Sequence, residues 1–279
     1  MVSTARLRRP KILVAGAGVV LFAAAFSLPP VQGLAQDFLS IFRVKTIKPV
    51  TVTPLAQRPS LHPEEFLTVT TDKQGESHTY ASLGDATAAG VSLRVPSQLP
   101  AGVSATPAKI TVTAGSQTTV KVDRTKAAAA LATAGIGGIT LDPQIDNAEF
   151  RVSIPTVIVL SYGDGLSVAQ TGSPEVIGPP GLDYDQLRKQ ALTVLGSYAP
   201  DTAAQLGAIG DWRSTLPIPV GPNMPKSDVT VDGVSGIMIA DPNGATGHTA
   251  LLWQKNGMVY GVWGTATAAD LLAAGNSLH

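Results

Sequence analysis

Residues 12 to 28 run for 17 positions without a charge, directly behind Arg6, Arg8, Arg9 and Lys11. A basic tail, one apolar segment and a long polar remainder describe a protein sent to or through a membrane. A spanning helix needs about 20 apolar residues, with about 17 near the lower limit. Pro29 and Pro30 end this run, and Val31 extends its apolar length slightly. A secretory signal has the same basic start, a shorter apolar core and a small-residue cleavage site. Gly33-Leu34-Ala35 fits such a site, with cleavage after Ala35. The length of the run favours an uncleaved transmembrane helix over 12–31.

Orientation follows from the flanks. The inward bias of Lys and Arg favours a cytoplasmic N-terminus, but only modestly, because Arg43, Lys45 and Lys48 follow close behind. Residues 1–11 would form a short cytoplasmic tail, too short to fold. Function is expected on the far side.

Composition narrows that function. The chain holds 20 basic and 20 acidic residues, and without the four of the tail 16 basic residues remain against 20 acidic. A mildly acidic domain is a poor nucleic-acid binder, since phosphate contacts demand clustered Lys and Arg. Cysteine is absent, which excludes a lipid anchor on cysteine, disulfides and cysteine metal sites. A chain of this length buries enough apolar surface without such staples.

Beyond the anchor, Val31, Leu34, Phe38, Ile41 and Phe42 recur at three- and four-residue spacing, which predicts an amphipathic helix. Pro49, Pro54, Pro59 and Pro63 then predict an extended linker, so that 32–65 joins the membrane to a domain over 66–279. In that domain 66–71, 91–96, 108–113, 118–123, 148–155, 156–163 and 166–172 read as strands. Residues 108–113 and 118–123 flank Ala114-Gly115-Ser116 like a hairpin, and Asp164-Gly165 marks a tight turn. Ser82, Asp123 and Thr267 are placed to cap helices, with Gly135 a stop signal. A helical insert is expected over 182–198, with a second helix capped by Asp201 and running to about Trp212. A Pro-rich stretch, 215–225, closes that insert. Two hairpins, turning at Asp232-Gly233 and Asn256-Gly257, and a last helix complete the chain. The fold class is α+β: an antiparallel sheet of hairpins packed on helices. The strands are not separated by regular crossover helices, which argues against a parallel sheet.

Several phrases together carry a resemblance: residues 90–103, the Tyr162 strand with its Asp-Gly turn, residues 251–278, and 31–45 after the anchor. They resemble an uncharacterised extracytoplasmic domain, C-terminal to a membrane anchor, in bacterial anti-sigma-factor-like and sporulation-associated proteins. The resemblance covers most of the chain. It implies a sensory or binding domain with no enzymatic activity, whose partners are the lipid bilayer and a membrane or envelope regulatory protein. Such proteins carry a sigma-binding domain, often with a His and Cys zinc motif, before the membrane. Eleven residues without Cys do not supply one, so sigma binding is not carried over.

Chemical motifs are sparse. His62, His78, His248 and His279 are scattered, and only His62-Pro63-Glu64-Glu65 clusters locally, in the expected linker. Asp241-Pro242-Asn243-Gly244 lacks the repeated acids of a calcium loop. Residues 244–249 have neither the lysine nor the following helix of a phosphate loop. Gly16 and Gly18 do not have the four-residue spacing of a helix-dimer motif. No Gly-x-Ser-x-Gly element is present. No catalytic residue, cofactor or metal is therefore expected. The candidate partner or ligand surface consists of Trp212, Arg213, Trp253, Tyr260 and Trp263. For the aromatics of the last hairpin, burial in the sheet core competes with that role. Trp212 precedes a Pro-rich loop, where it either lines an exposed groove or caps the core. Cleavage near Ala35 would instead give a secreted or periplasmic ligand-binding carrier.

Overall fold

The computed structural model describes residues 39–52, 62–163, 165–240 and 248–279. The segments 12–31 and 31–38, the loop 241–247 and Asp164 lie outside these residues. Among the described residues no helix is long and apolar enough to cross a membrane.

The order of elements is β1 (Leu39–Arg43), β2 (Thr46–Thr51), β3 (Leu67–Lys73), β4 (Ser77–Tyr80), α1 (Leu83–Ala88), β5 (Lys109–Thr113), β6 (Ser116–Val122), α2 (Arg124–Thr133), β7 (Glu149–Ile154), β8 (Val157–Ser161), β9 (Ser167–Gly172) and β10 (Glu175–Gly178). Then follow α3 (Tyr184–Gly196), α4 (Pro200–Gly207), β11 (Thr215–Val220), β12 (Lys226–Val231), β13 (Val234–Ala240), β14 (Thr249–Lys255), β15 (Met258–Gly264) and α5 (Ala268–Asn276). The class is α+β with mostly antiparallel pairing. An eight-stranded sheet has the order β12-β13-β14-β15-β9-β8-β5-β4, and a five-stranded sheet the order β1-β10-β7-β6-β3. A third ladder, β2 with β11, is parallel, contrary to the expectation of antiparallel pairing only.

Four times the chain leaves one large sheet and enters the other within a few residues: between β3 and β4, β5 and β6, β7 and β8, and β9 and β10. Residues 109–122 are therefore not a hairpin. Ala114-Gly115 carries β5 of the large sheet across to β6 of the smaller one. Close backbone approach sets the residue types at these crossings. A Cβ at Gly75 would lie 1.9 Å from the Ala114 carbonyl oxygen, and one at Gly115 3.0 Å from that of Ile154.

Three further expectations are corrected. Leu39–Arg43 is a strand, not part of a helix. Its pairing with β10 shifts register between Ser40 and Phe42, and with this irregularity both Ile41 and Phe42 are buried. Consecutive buried residues of this kind imitate helical spacing. Thr46–Thr51 belongs to the folded body rather than to a linker. Pro49 in β2 and Pro217 and Pro219 in β11 are tolerated because, among the described residues, this ladder has two strands and no further neighbour on either side. Residues 91–96 are not a strand; only Pro96 forms a bridge, to Leu278. In addition α4 opens on Pro200 behind Ala199 and ends at Gly207, so Asp201 lies in its first turn and is not the cap.

The main core lies on one face of the eight-stranded sheet. One cross-sheet row reads Gly236, Trp253, Tyr260, Gln170, Ile158 and Val112. The next reads Met238, Leu251, Val262, Val168, Leu160 and Ile110. Helix α5 covers these rows with Leu271 and Ala274, both fully buried. Its first turn is fixed by a capping box between Thr267 and Asp270. Residues 83–103 cover the remainder through Leu83, Ala86, Val91, Leu93 and Leu99. On the opposite face, β2 and β11 cover only the β13–β14 end, through Ile47 and Ile218 against Ile237, Ile239 and Leu252. A second core under the five-stranded sheet holds Phe42, Val152, Val176, Leu182 and Tyr184.

Tyr162, at the end of β8, is buried, and burial pushes its phenol up to about 12. A group with a raised folded pKa stabilises fully below its unfolded value and loses that contribution as pH rises through the folded one. Stability is thus expected to fall between about pH 10 and pH 12 as the unfolded chain gains from ionising Tyr162. Denaturant midpoints measured across that window test this. A Tyr162→Phe variant with an equally steep alkaline loss would refute the assignment.

Candidate functional site

The five residues singled out from the sequence do not form one surface. Trp253 and Tyr260 face each other across β14 and β15, with ring centroids 5.1 Å apart and planes at 19°. They are 0% and 4% exposed. Both belong to the core and are corrected from surface to packing residues. The Asn256-Gly257 turn causes this, since both residues take positive φ, 52° and 77°, as a two-residue hairpin turn demands. That register pairs Trp253 with Tyr260 and Ala250 with Trp263. Trp263 therefore stands on the opposite face of the same hairpin.

Trp212 and Arg213 sit beside the start of α3. The Trp212 indole N–H donates to Asp185 Oδ1 at 2.8 Å, and the Arg213 guanidinium to Oδ2 at 3.1 Å. Trp212 foremost, with Arg213 and Arg188 adding positive charge, holds the Asp185 carboxyl below the usual carboxylate range, against the opposing effect of burial. Arg188 lies 5.7 Å from the Trp212 ring centroid and Arg213 5.3 Å. Arg188 also donates to the carbonyls of Leu206 and Ile209, at 2.7 and 2.9 Å, closing the C-terminal end of α4. Each polar group of this cluster thus has a partner within the fold. The cluster fastens α3, α4 and the start of β11 together.

Trp263 has a different setting. At the end of the eight-stranded sheet, Gly163, Ser167, His248, Trp263, Gly264 and Thr265 line an open recess of about 320 Å³. Three segments meet there: the β8–β9 connection, the start of β14 and the end of β15. Gly264 permits the approach, because a Cβ on it would lie 2.1 Å from the Gly165 carbonyl oxygen. Trp263 is half-buried, whereas His248 and Thr265 are exposed. The arrangement offers an apolar aromatic surface beside two hydroxyls and an imidazole.

Sequence reasoning named Trp263 and noted His248, but missed Ser167, Thr265 and Gly163 as their neighbours. Odd numbering groups Trp253 with Trp263, but the two-residue turn reverses parity across the hairpin and sets them on opposite faces. Bringing Ser167 alongside requires the pairing of β15 with β9, which no local signal announces.

The other histidines lie apart. His62 faces Glu64 at 3.3 Å and His78 faces Glu76 at 3.8 Å, both in exposed positions. Among the described residues, no group of three or more His, Asp or Glu is placed to share a metal ion. The loop compared above with calcium and phosphate motifs falls largely outside the described residues. No family model, curated protein or solved structure matches this chain.

Proposed function

We propose that the chain is a single-pass, membrane-anchored extracytoplasmic binding domain of the anti-sigma-like sensory kind, without catalytic activity. The observation that carries this reading is the placement of the recess relative to Leu39. Ser167, in the recess, begins β9; β9 continues through Ser173 into β10, whose Gly178 pairs with Leu39. Recess and chain entry thus lie at opposite ends of the β9–β10 path, which crosses from the eight-stranded sheet to the five-stranded one between Gly172 and Glu175. A tether joined at Leu39 would enter on the five-stranded sheet, with the recess on the other sheet. The side chains there suit binding: an indole, hydroxyls and an imidazole.

A second reading, a secreted or periplasmic carrier, fits a chain whose first described element is β1. A chain cut after Ala35 would keep every described element. Fractionation with N-terminal sequencing separates the two. Protein held in the membrane with its N-terminus intact supports the anchor; soluble protein starting at Gln36 sinks it. Pull-down from detergent extracts is expected to recover an envelope component.

A further inference from the structure

We infer that the Trp263 recess binds a neutral oligosaccharide, with one pyranose face against the indole. The inference rests on the reading of this domain as a binding module and adds the class of ligand. The indole lies along its own sheet. A Cβ built at Gly261 would be 3.8 Å from Cζ3 and 3.9 Å from Cε3 of Trp263, so the ring reaches over a residue that has no side chain. Its cross-strand neighbours are Ala250 and Ser167, neither long enough to stand over the ring. The indole is half-buried and contributes its exposed part to the recess.

An aromatic face attracts C–H groups by dispersion and through its negative π cloud. A pyranose matches it, because its axial C–H groups form an apolar face while its hydroxyls project around the rim. Here the rim meets Ser167, Thr265 and His248, each able to exchange hydrogen bonds with a hydroxyl. Among the described residues, the six that line the recess include no Lys or Arg, so they offer a phosphate or carboxylate no counter-charge for the water it would lose. A nucleobase also offers a flat face, but nucleic acids draw their affinity from phosphate contacts with Lys and Arg. The volume falls at the small end of the range for ligand pockets, which suits a short saccharide.

The test titrates the full chain, purified in detergent, with maltotriose, cellotriose and triacetylchitotriose. Tryptophan fluorescence and calorimetry follow binding. Saturable binding of at least one sugar is expected, weakened about tenfold or more in Trp263→Ala and unaltered in Trp212→Phe. Thr265→Arg, at an exposed rim position, is expected to weaken binding by obstruction even where Trp263→Ala fails to fold. The inference is overturned when no sugar saturates, or when binding survives both recess variants. Recovery of an envelope protein without sugar binding would refute the saccharide and leave the binding-domain reading intact. Sugar binding by a soluble form starting at Gln36 would uphold the saccharide and remove the tether.

Discussion

Trp253→Ala is expected to lower the unfolding free energy by about 3–5 kcal/mol, read as a lower denaturant midpoint with an unchanged slope. Trp253 is the largest fully buried side chain among the described residues. Two glycines make room for it. A Cβ at Gly236 would lie 3.2 Å from Trp253 Cβ, and one at Gly275 3.3 Å from Cη2. Strand β13 and helix α5 thus close on the indole from two directions, while Tyr260 stacks on it from β15. Truncation opens a cavity that these rigid backbones cannot easily collapse into. The indole N–H is buried with no hydrogen-bond partner, an arrangement that costs about 1–3 kcal/mol. Trp253→Phe removes that donor and keeps a ring against Tyr260, so its loss is expected to be less than half that of alanine. Equal losses in the two variants would show that a ring kept against Tyr260 retains none of the packing.

The same hairpin shows what local sequence encodes. Asp232-Gly233 and Asn256-Gly257 turn as expected, with positive φ at all four residues, because a two-residue turn of this hand matches the twist of the flanking strands. Ser82, Asp123 and Thr267 cap their helices by accepting a backbone N–H within one turn. Partnership over distance is another matter. Alternation shows which residues of a strand share a face but not which strand lies beside it. Ala114-Gly115 has the composition of a reversal, yet it serves a crossing between sheets. A small residue without a Cβ answers both needs, since each brings backbone close to backbone. β1 was hidden by its irregular register and β2 by its proline. For the candidate site, the turn at 256–257 holds enough information to set Trp253 and Trp263 on opposite faces. Which face is buried follows from comparing Leu251, Trp253, Tyr260 and Val262 with Ala250, Leu252, Gly261 and Trp263; the first set is the more apolar. The hydroxyls around Trp263 come from elements distant in sequence and leave no such trace.

Residues 91–96 illustrate how a strand-like segment escapes the sheet, and Gln170 is expected to be what holds it. This glutamine lies in the core row between Tyr260 and Ile158 and is 3% exposed. Its Nε2 donates to the Arg94 carbonyl at 3.0 Å, and its Oε1 accepts from the Arg94 N–H at 2.9 Å. One side chain thereby gives Arg94 the backbone partners that a neighbouring strand would otherwise supply. The Arg94 guanidinium then comes to 5.9 Å from the Tyr260 ring centroid. Gln170→Leu preserves the volume but strips both bonds, at an expected cost of about 2–3 kcal/mol. Hydrogen exchange should quicken at Arg94 and its neighbours well before it does in β9, because the backbone ladder of β9 remains paired on both sides. Gln170→Glu separates polarity from shape. It keeps an acceptor for the Arg94 N–H but, once ionised, sets a buried negative charge against the Arg94 carbonyl. Its stability should therefore decline as pH rises through the carboxyl pKa, a slope that Gln170→Leu lacks. A uniform rise in exchange across β8, β9 and 91–96 in Gln170→Leu would show that the segment is held by apolar packing and its backbone bonds to the C-terminus, and that the glutamine's two hydrogen bonds are incidental to it.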